Sequence, residues 1–178
     1  MNVIEMEVSP ERVGVLIGKD GEVKKSIEEK TGCRLMVDSK SGVVKIECDD
    51  AIGFMRARDT VRAISYGFPP DVALRLLDED MTMLEVIDLT NYVSEKALQR
   101  VKGRIIGKEG KMRKQIEDVL GVRISIQGKY VAILGDVENV SAAREAVMML
   151  VEGAQHSTVM KFMERKRREM RSRVLDWI

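Results

Sequence analysis

The chain has 178 residues, enough for one medium domain or two small ones with separate cores. Hydrophobic residues make up 44% and charged residues 33%, a globular composition, while 30 Lys and Arg against 29 Asp and Glu leave a net charge of +1 and no whole-chain basic footprint. With 4% aromatics, two cysteines and one histidine, a stacking platform as the main binding device and a four-ligand Cys/His zinc site are both excluded.

The elements read in chain order as follows. Asn2 to Val8 alternates apolar residues with acids, as a half-buried strand does. Ser9-Pro10 opens a short helix that ends at Gly18. A second helix runs from about Glu22 to Thr31, with Gly32 as its stop. Cys33 to Val37 and Val43 to Cys48 are strands around a Ser39–Gly42 turn, and Asp49 or Asp50 caps a long helix towards Tyr66. Pro69-Pro70 then punctuates, and Val72 to Leu77 has the spacing of a short packed helix that would hold the flanking regions in a fixed relation. Met83 to Leu89 is a strand, Ser94 caps a helix through Ile106, and Lys111 to Leu120 is a helix with Met112, Ile116, Val119 and Leu120 on one face. Val122 to Gln127 and Tyr130 to Leu134 are strands joined by Gly128-Lys129, and Asp136 caps a helix to Glu152 that Gly153 ends.

This order, β-α-α-β-β-α, occurs twice because the chain repeats itself. Leu16-Ile17-Gly18-Lys19-Asp20-Gly21 returns 89 positions on as Ile105-Ile106-Gly107-Lys108-Glu109-Gly110. The flanks follow at the same offset: Lys25 with Lys114, Ile27-Glu28 with Ile116-Glu117, Gly32 with Gly121 and Arg34 with Arg123.

A Gly-Lys-acid-Gly turn between two helices suits phosphate. The glycines permit positive φ and close approach of a ligand backbone. The following helix presents free N–H groups and the positive end of its dipole, and Lys19 or Lys108 adds a mobile cation. Val15-Leu16-Ile17 and Ile105-Ile106 are expected to floor a groove for bases, with Arg34 or Arg123 on the opposite wall. The two loops differ in surrounding charge. Glu11 to Lys30 holds five bases and five acids, whereas Arg100 to Lys114 holds Arg100, Lys102, Arg104, Lys108, Lys111, Arg113 and Lys114 against Glu109 alone. The second loop is therefore expected to be the main phosphate clamp and the first a platform or weak site.

The constellation, Ile-Gly-Lys-acid-Gly followed by an amphipathic helix, a stop glycine, a strand pair and a long helix, resembles the type I K-homology (KH) domain, whose loop clamps about four nucleotides of single-stranded nucleic acid. The resemblance implies an α+β fold with a three-stranded antiparallel sheet packed on three helices in each copy. The segment Gly67-Phe68-Pro69-Pro70-Asp71-Val72-Ala73-Leu74-Arg75-Leu76-Leu77-Asp78 and the Leu84–Leu89 strand further resemble the Krr and partner-of-Nob assembly factors, in their compact archaeal version. That likeness covers about residues 1 to 153. It implies a non-catalytic RNA-binding factor of small-subunit ribosome assembly, with the 3′ end of the (pre-)16S rRNA, the trimming endonuclease and the pre-small subunit as partners. Eukaryotic relatives tend to carry a degenerate first loop, whereas Gly18-Lys19-Asp20-Gly21 is intact here. The alternatives are a general KH adaptor in translation or RNA decay, and a protein-interaction scaffold; the charge around the second loop favours RNA.

The reading divides the chain into a first KH domain (1–67), an inter-domain helical segment (68–82), a second KH domain (83–153) and a basic C-terminal tail (154–178). The expected RNA-binding residues are Arg104, Ile105, Ile106, Gly107, Lys108, Glu109, Gly110, Lys111, Arg113, Lys114 and Arg123, with Gly18, Lys19, Asp20 and Gly21 as the second set. No catalytic motif, cofactor or metal is expected, and His156 reads as an exposed linker residue. Short apolar runs and an N-terminus without signal-peptide features predict a soluble, cytoplasmic protein without a membrane partner. The tail, with seven bases against three acids from Gln155 to Ile178, reads as an electrostatic arm whose removal leaves both modules folded; Leu175, Trp177 and Ile178 at its end are expected to dock on a module or a partner. Hairpin register places Cys33 opposite Cys48 within disulfide reach, but a cytosolic setting favours two free buried thiols.

Overall fold

Strands form where apolar and charged residues alternate. In a computed structural model describing residues 1–177, β1 (Asn2–Glu7), β2 (Arg34–Val37) and β3 (Val43–Cys48) make an antiparallel sheet in the order β1-β3-β2. Its register brings Ile4 and Leu35 opposite the central Ile46. Helices α1 (Pro10–Ile17), α2 (Glu22–Thr31) and α3 (Ala51–Ser65) pack on one another, with α2 and α3 against the sheet, and bury Val13, Leu16, Ile27, Val61 and Ile64. Asp50 caps α3 by accepting from the Gly53 N–H at 2.7 Å. Ser9 stands at the N-cap of α1 without a side-chain capping bond. Between Pro69 and Glu79 the expected single helix is two single turns, α4 (Pro70–Ala73) and α5 (Arg75–Asp78), which bury Val72, Ala73 and Leu76 and pack on α3. These turns belong to a first unit that ends at Asp80.

The second unit, from Met81 on, repeats the order. Strands β4 (Thr82–Asp88), β5 (Arg123–Gln127) and β6 (Tyr130–Asp136) form a sheet ordered β4-β6-β5. Gly128-Lys129 is the two-residue connection between the paired Gln127 and Tyr130. Helices α6 (Glu95–Ile106), α7 (Lys111–Leu120) and α8 (Val137–Val151) enclose a core of Ile87, Val101, Ile105, Met112, Ile116, Leu120, Val131, Ile133, Val147 and Leu150. Ser94 caps α6 by accepting from the Ala97 N–H at 3.3 Å. Among the described residues no helix is long and apolar enough to cross a membrane.

Two expectations are corrected here. The basic tail is not a removable arm: His156–Asp176 is a helix, α9, whose Val159, Phe162 and Met163 are buried in the second core against α7 and α8. At roughly 1.5–3 kcal/mol per buried apolar side chain, those three residues account for much of a domain's marginal stability of about 5–15 kcal/mol. Leu175 and Trp177 are exposed rather than docked on the module, and Ile178 lies outside the described residues. The second correction concerns the cysteines, which are bridged rather than free, with Cα atoms 4.5 Å apart. The register is the expected one, since Arg34 pairs with Glu47 and the next pair outward is Cys33 with Cys48. Geometry, not compartment, was the better guide.

Candidate nucleic-acid interface

The two glycine loops are built alike. Gly18 and Gly107 stop α1 and α6 with φ of 77° and 75°. A Cβ on Gly18 would lie 2.9 Å from the Val23 backbone nitrogen, and one on Gly107 would lie 2.7 Å from that of Met112. The first glycine of each loop therefore serves close packing of the incoming helix on the outgoing one. Gly21 and Gly110 are left-handed at φ 74° and 75°, and a Cβ there would meet nothing within 4 Å. That open space lets another chain's backbone pass. Between them Asp20 and Glu109 are held at φ 55° and 56°, the only described residues other than glycine with positive φ. Their side chains and those of Lys19 and Lys108 are exposed.

A second repeated contact fixes the helix behind each loop. Glu28 accepts from the Leu35 N–H at 3.0 Å, and Glu117 accepts from the Ile124 N–H at 2.9 Å. Each carboxylate ties the post-loop helix to the edge strand that would wall a groove. Sequence reading missed this role, although both glutamates travel with the repeat at its constant offset. It also missed Arg12, which donates to the carbonyls of Ile64 at 2.8 Å and Phe68 at 2.7 Å and thereby satisfies the end of α3. Burial pulls the Arg12 guanidinium below its ordinary pKa.

The second unit solves the same capping problem with Arg104, which donates to Leu150 O at 3.2 Å and to Ala154 O. Arg104 is thus committed to the backbone at the C-terminal end of α8 and just after it rather than to a ligand, contrary to the sequence reading. Ile105, like Leu16, is fully buried and cannot floor a groove; Ile106, Ile17 and Val15 are the half-exposed members of those runs. Arg113 and Arg123 both lie 3.6 Å from Glu117, and Arg113 also donates to Ile124 O. His156 is exposed at the start of α9, its ring 3.1 Å from the Arg104 carbonyl.

With these contacts removed, the charge contrast between the loops sharpens. Arg100, Lys102, Lys108, Lys111 and Lys114 make no ion pair among the described residues. Lys111 and Lys114 stand one turn apart at the start of α7, and Lys102 shares a face with Ile106 one turn before the loop. Around the first loop Lys24 pairs with Glu28 at 3.4 Å and Lys30 with Asp78 at 2.8 Å, leaving Lys19 and Lys25. The first turn of α2 also carries Glu22, where α7 has no acid.

A KH-domain family model matches residues 3–63, and one for the second KH domain of PNO1, a eukaryotic-type KH domain of type I, matches residues 83–168. A KH domain-containing protein of Methanocaldococcus jannaschii is 45% identical over 170 residues, covering 93% of this chain and 74% of that protein. The chain belongs to the tandem KH-domain family of PNO1 and archaeal Dim2p. The pre-rRNA-processing protein PNO1 of Chaetomium thermophilum is 39% identical over 104 residues, 57% of this chain and 40% of that one. The chain therefore spans less than half of that curated Dim2-family relative. Among solved structures, an Aeropyrum pernix protein superposes with a TM-score of 0.89 at 42% identity, covering 99% of this chain and 97% of that one. Dim2p from a complex of a/eIF2α, aDim2p and rRNA of Pyrococcus horikoshii superposes with a TM-score of 0.84 at 39% identity, covering 94% and 95%.

Proposed function

We propose that this chain is an RNA-binding assembly factor of the small ribosomal subunit, and that its second KH domain grips single-stranded RNA near the 3′ end of the (pre-)16S rRNA. The observation that carries the reading is the set of five cations around the Gly107–Gly110 turn that make no ion pair among the described residues. Phosphates would cross the open side of Gly110, where the first N–H groups of α7 and the ammonium groups of Lys108, Lys111 and Lys114 converge on them. Bases would lie towards Ile106 and β5. Lys19, Gly18 and Gly21 form the weaker counterpart in the first domain. The names of the relatives support the same reading, PNO1 being called a pre-rRNA-processing protein and the Pyrococcus Dim2p having been crystallised with rRNA. The protein performs no chemistry itself, works in the cytoplasm, and positions the rRNA end for the endonuclease that trims it.

Filter binding of the 3′-terminal rRNA segment against an unrelated single strand of equal length tests this. Tighter binding of the rRNA segment at moderate salt is expected. Equal binding at every salt concentration would favour a general KH adaptor.

A further inference from the structure

Burial sets which side of α9 meets water. Val159, Phe162 and Met163 are locked into the second core, so helical spacing turns Lys161, Arg165 and Arg168, at i, i+4 and i+7, out of it together. All three are exposed, and they span about 10 Å of the helix axis. Two acids flank this stripe, and both are engaged. Glu164 pairs with Arg167 at 2.7 Å, and Glu169 lies 3.8 Å from Arg165 and 3.7 Å from Lys166. Lys161 and Arg168 make no ion pair among the described residues. Asp118, Asp136 and Glu138 line a groove beside Arg167 and Arg171, and the stripe lies outside that lining. Lys161 with Arg165 and Arg165 with Arg168 are like-charge neighbours one turn apart, which work against the helix. A row of phosphates on this side would offset that repulsion.

Resting on the grip at the Gly107–Gly110 turn, we propose that this stripe is a second RNA contact, holding the sugar–phosphate backbone of the strand where it continues beyond the second KH groove. Continuity and chemistry pick the occupant. The His156 ring at the start of α9 lies 3.1 Å from the carbonyl of Arg104 in the last turn of α6, so α9 begins within one helical turn of the clamp. It then packs along α7, whose first turn carries Lys111 and Lys114. Two of the three cations are guanidiniums, whose planar donor forks match phosphate oxygens. Three cations over about 10 Å correspond to about three stacked nucleotides at roughly 3.4 Å each. An acidic protein segment would match the charge but not the continuity with the clamp. The groove itself takes about four nucleotides, and α9 lengthens that footprint.

The test compares the affinity of the full chain for two kinds of strand. One is a 3′-terminal rRNA segment of about six nucleotides, just longer than the groove; the other is that segment extended by about eight uridines at its 5′ or its 3′ end. One extension should tighten binding about tenfold and steepen the log–log salt slope by about 2, from roughly −0.7 for each of three phosphates. Lys161→Gln with Arg165→Gln and Arg168→Gln, all at exposed positions, should remove that gain and leave the affinity for the short segment unchanged. Lys40→Gln with Lys45→Gln and Lys96→Gln, which lose the same charge elsewhere, should keep it. In the unsubstituted protein the extended strand, and not the short one, should shift the side-chain NMR signals of Lys161, Arg165 and Arg168. No gain from either extension, a gain that survives the triple substitution, an equal loss in the charge control, or a polyglutamate peptide that binds the stripe as tightly as the extended strand would each overturn the α9 contact. Failure of the short segment to bind would overturn the clamp, and this contact with it.

Discussion

The two KH units share a backbone and differ in what surrounds it. Their loops agree to within a few degrees at every glycine and at the acid between them, and each uses a glutamate to tie the post-loop helix to the edge strand. What differs is the use of charge. The first unit spends its cations internally, Arg12 on carbonyls and Lys24 and Lys30 on acids, whereas the second leaves five around its loop. The backbone geometry of the turn is thus the same in both, and the proposed preference of phosphate for the second loop rests on side-chain charge alone. The units also differ in how their last strand pair is secured. Cys33 and Cys48 are bridged in the first, while the equivalent pair in the second is Val122 beside Gly135, where a Cβ would approach the valine side chain to 3.1 Å.

The largest break in this comparison would come from truncation. Ending the chain before residue 157 should unfold the second unit and spare the first, seen as loss of amide protection confined to residues 82 onward, because Val159, Phe162 and Met163 leave the core. Next in size, Cys33→Ala with Cys48→Ala should destabilise only the first unit, by about 3 kcal/mol for a closed loop of this length; denaturant unfolding followed domain by domain would show it. Arg12→Ala and Arg104→Ala should each cost about 1–3 kcal/mol in their own unit by stranding helix-terminal carbonyls. If Arg104→Ala reduced RNA affinity with no loss of stability, its assignment to the backbone would be wrong. The smallest effect is an exchange of charges at the first helical position. Lys111→Glu should weaken RNA binding several-fold, by roughly 1 kcal/mol for a charge beside a helix N-terminus, and Glu22→Lys should strengthen the first site.

Much of this comparison was legible in the sequence. Proline, glycine and aspartate punctuation is local chemistry, so the boundaries of α2 and α7 and the order of both repeats follow from it. The short turns fix register, so the opposition of Cys33 and Cys48 could be counted. What escaped depended on partners distant in the chain. Val159, Phe162 and Met163 look unremarkable among charges until α7 and α8 present the surface that buries them. Leu16 and Ile105 differ from Ile17 and Ile106 only in which way a helix turns them. Arg104 reads as part of a basic cluster because its acceptors lie 46 and 50 residues away. The free-thiol expectation failed for another reason, since an argument about compartment was set above one about geometry.

The central claim is the division of labour between the two loops, and paired loop variants test it most directly. Lys108→Asp with Glu109→Asp adds negative charge without disturbing the turn, since the first loop already holds an aspartate, Asp20, in the same left-handed conformation. Binding of the 3′-terminal rRNA strand should be nearly lost in that variant and little changed in Lys19→Asp. The intact protein should show a log–log salt slope near −3, from about −0.7 for each of roughly four phosphates. Equal losses from the two variants, or a larger loss from Lys19→Asp, would contradict the account.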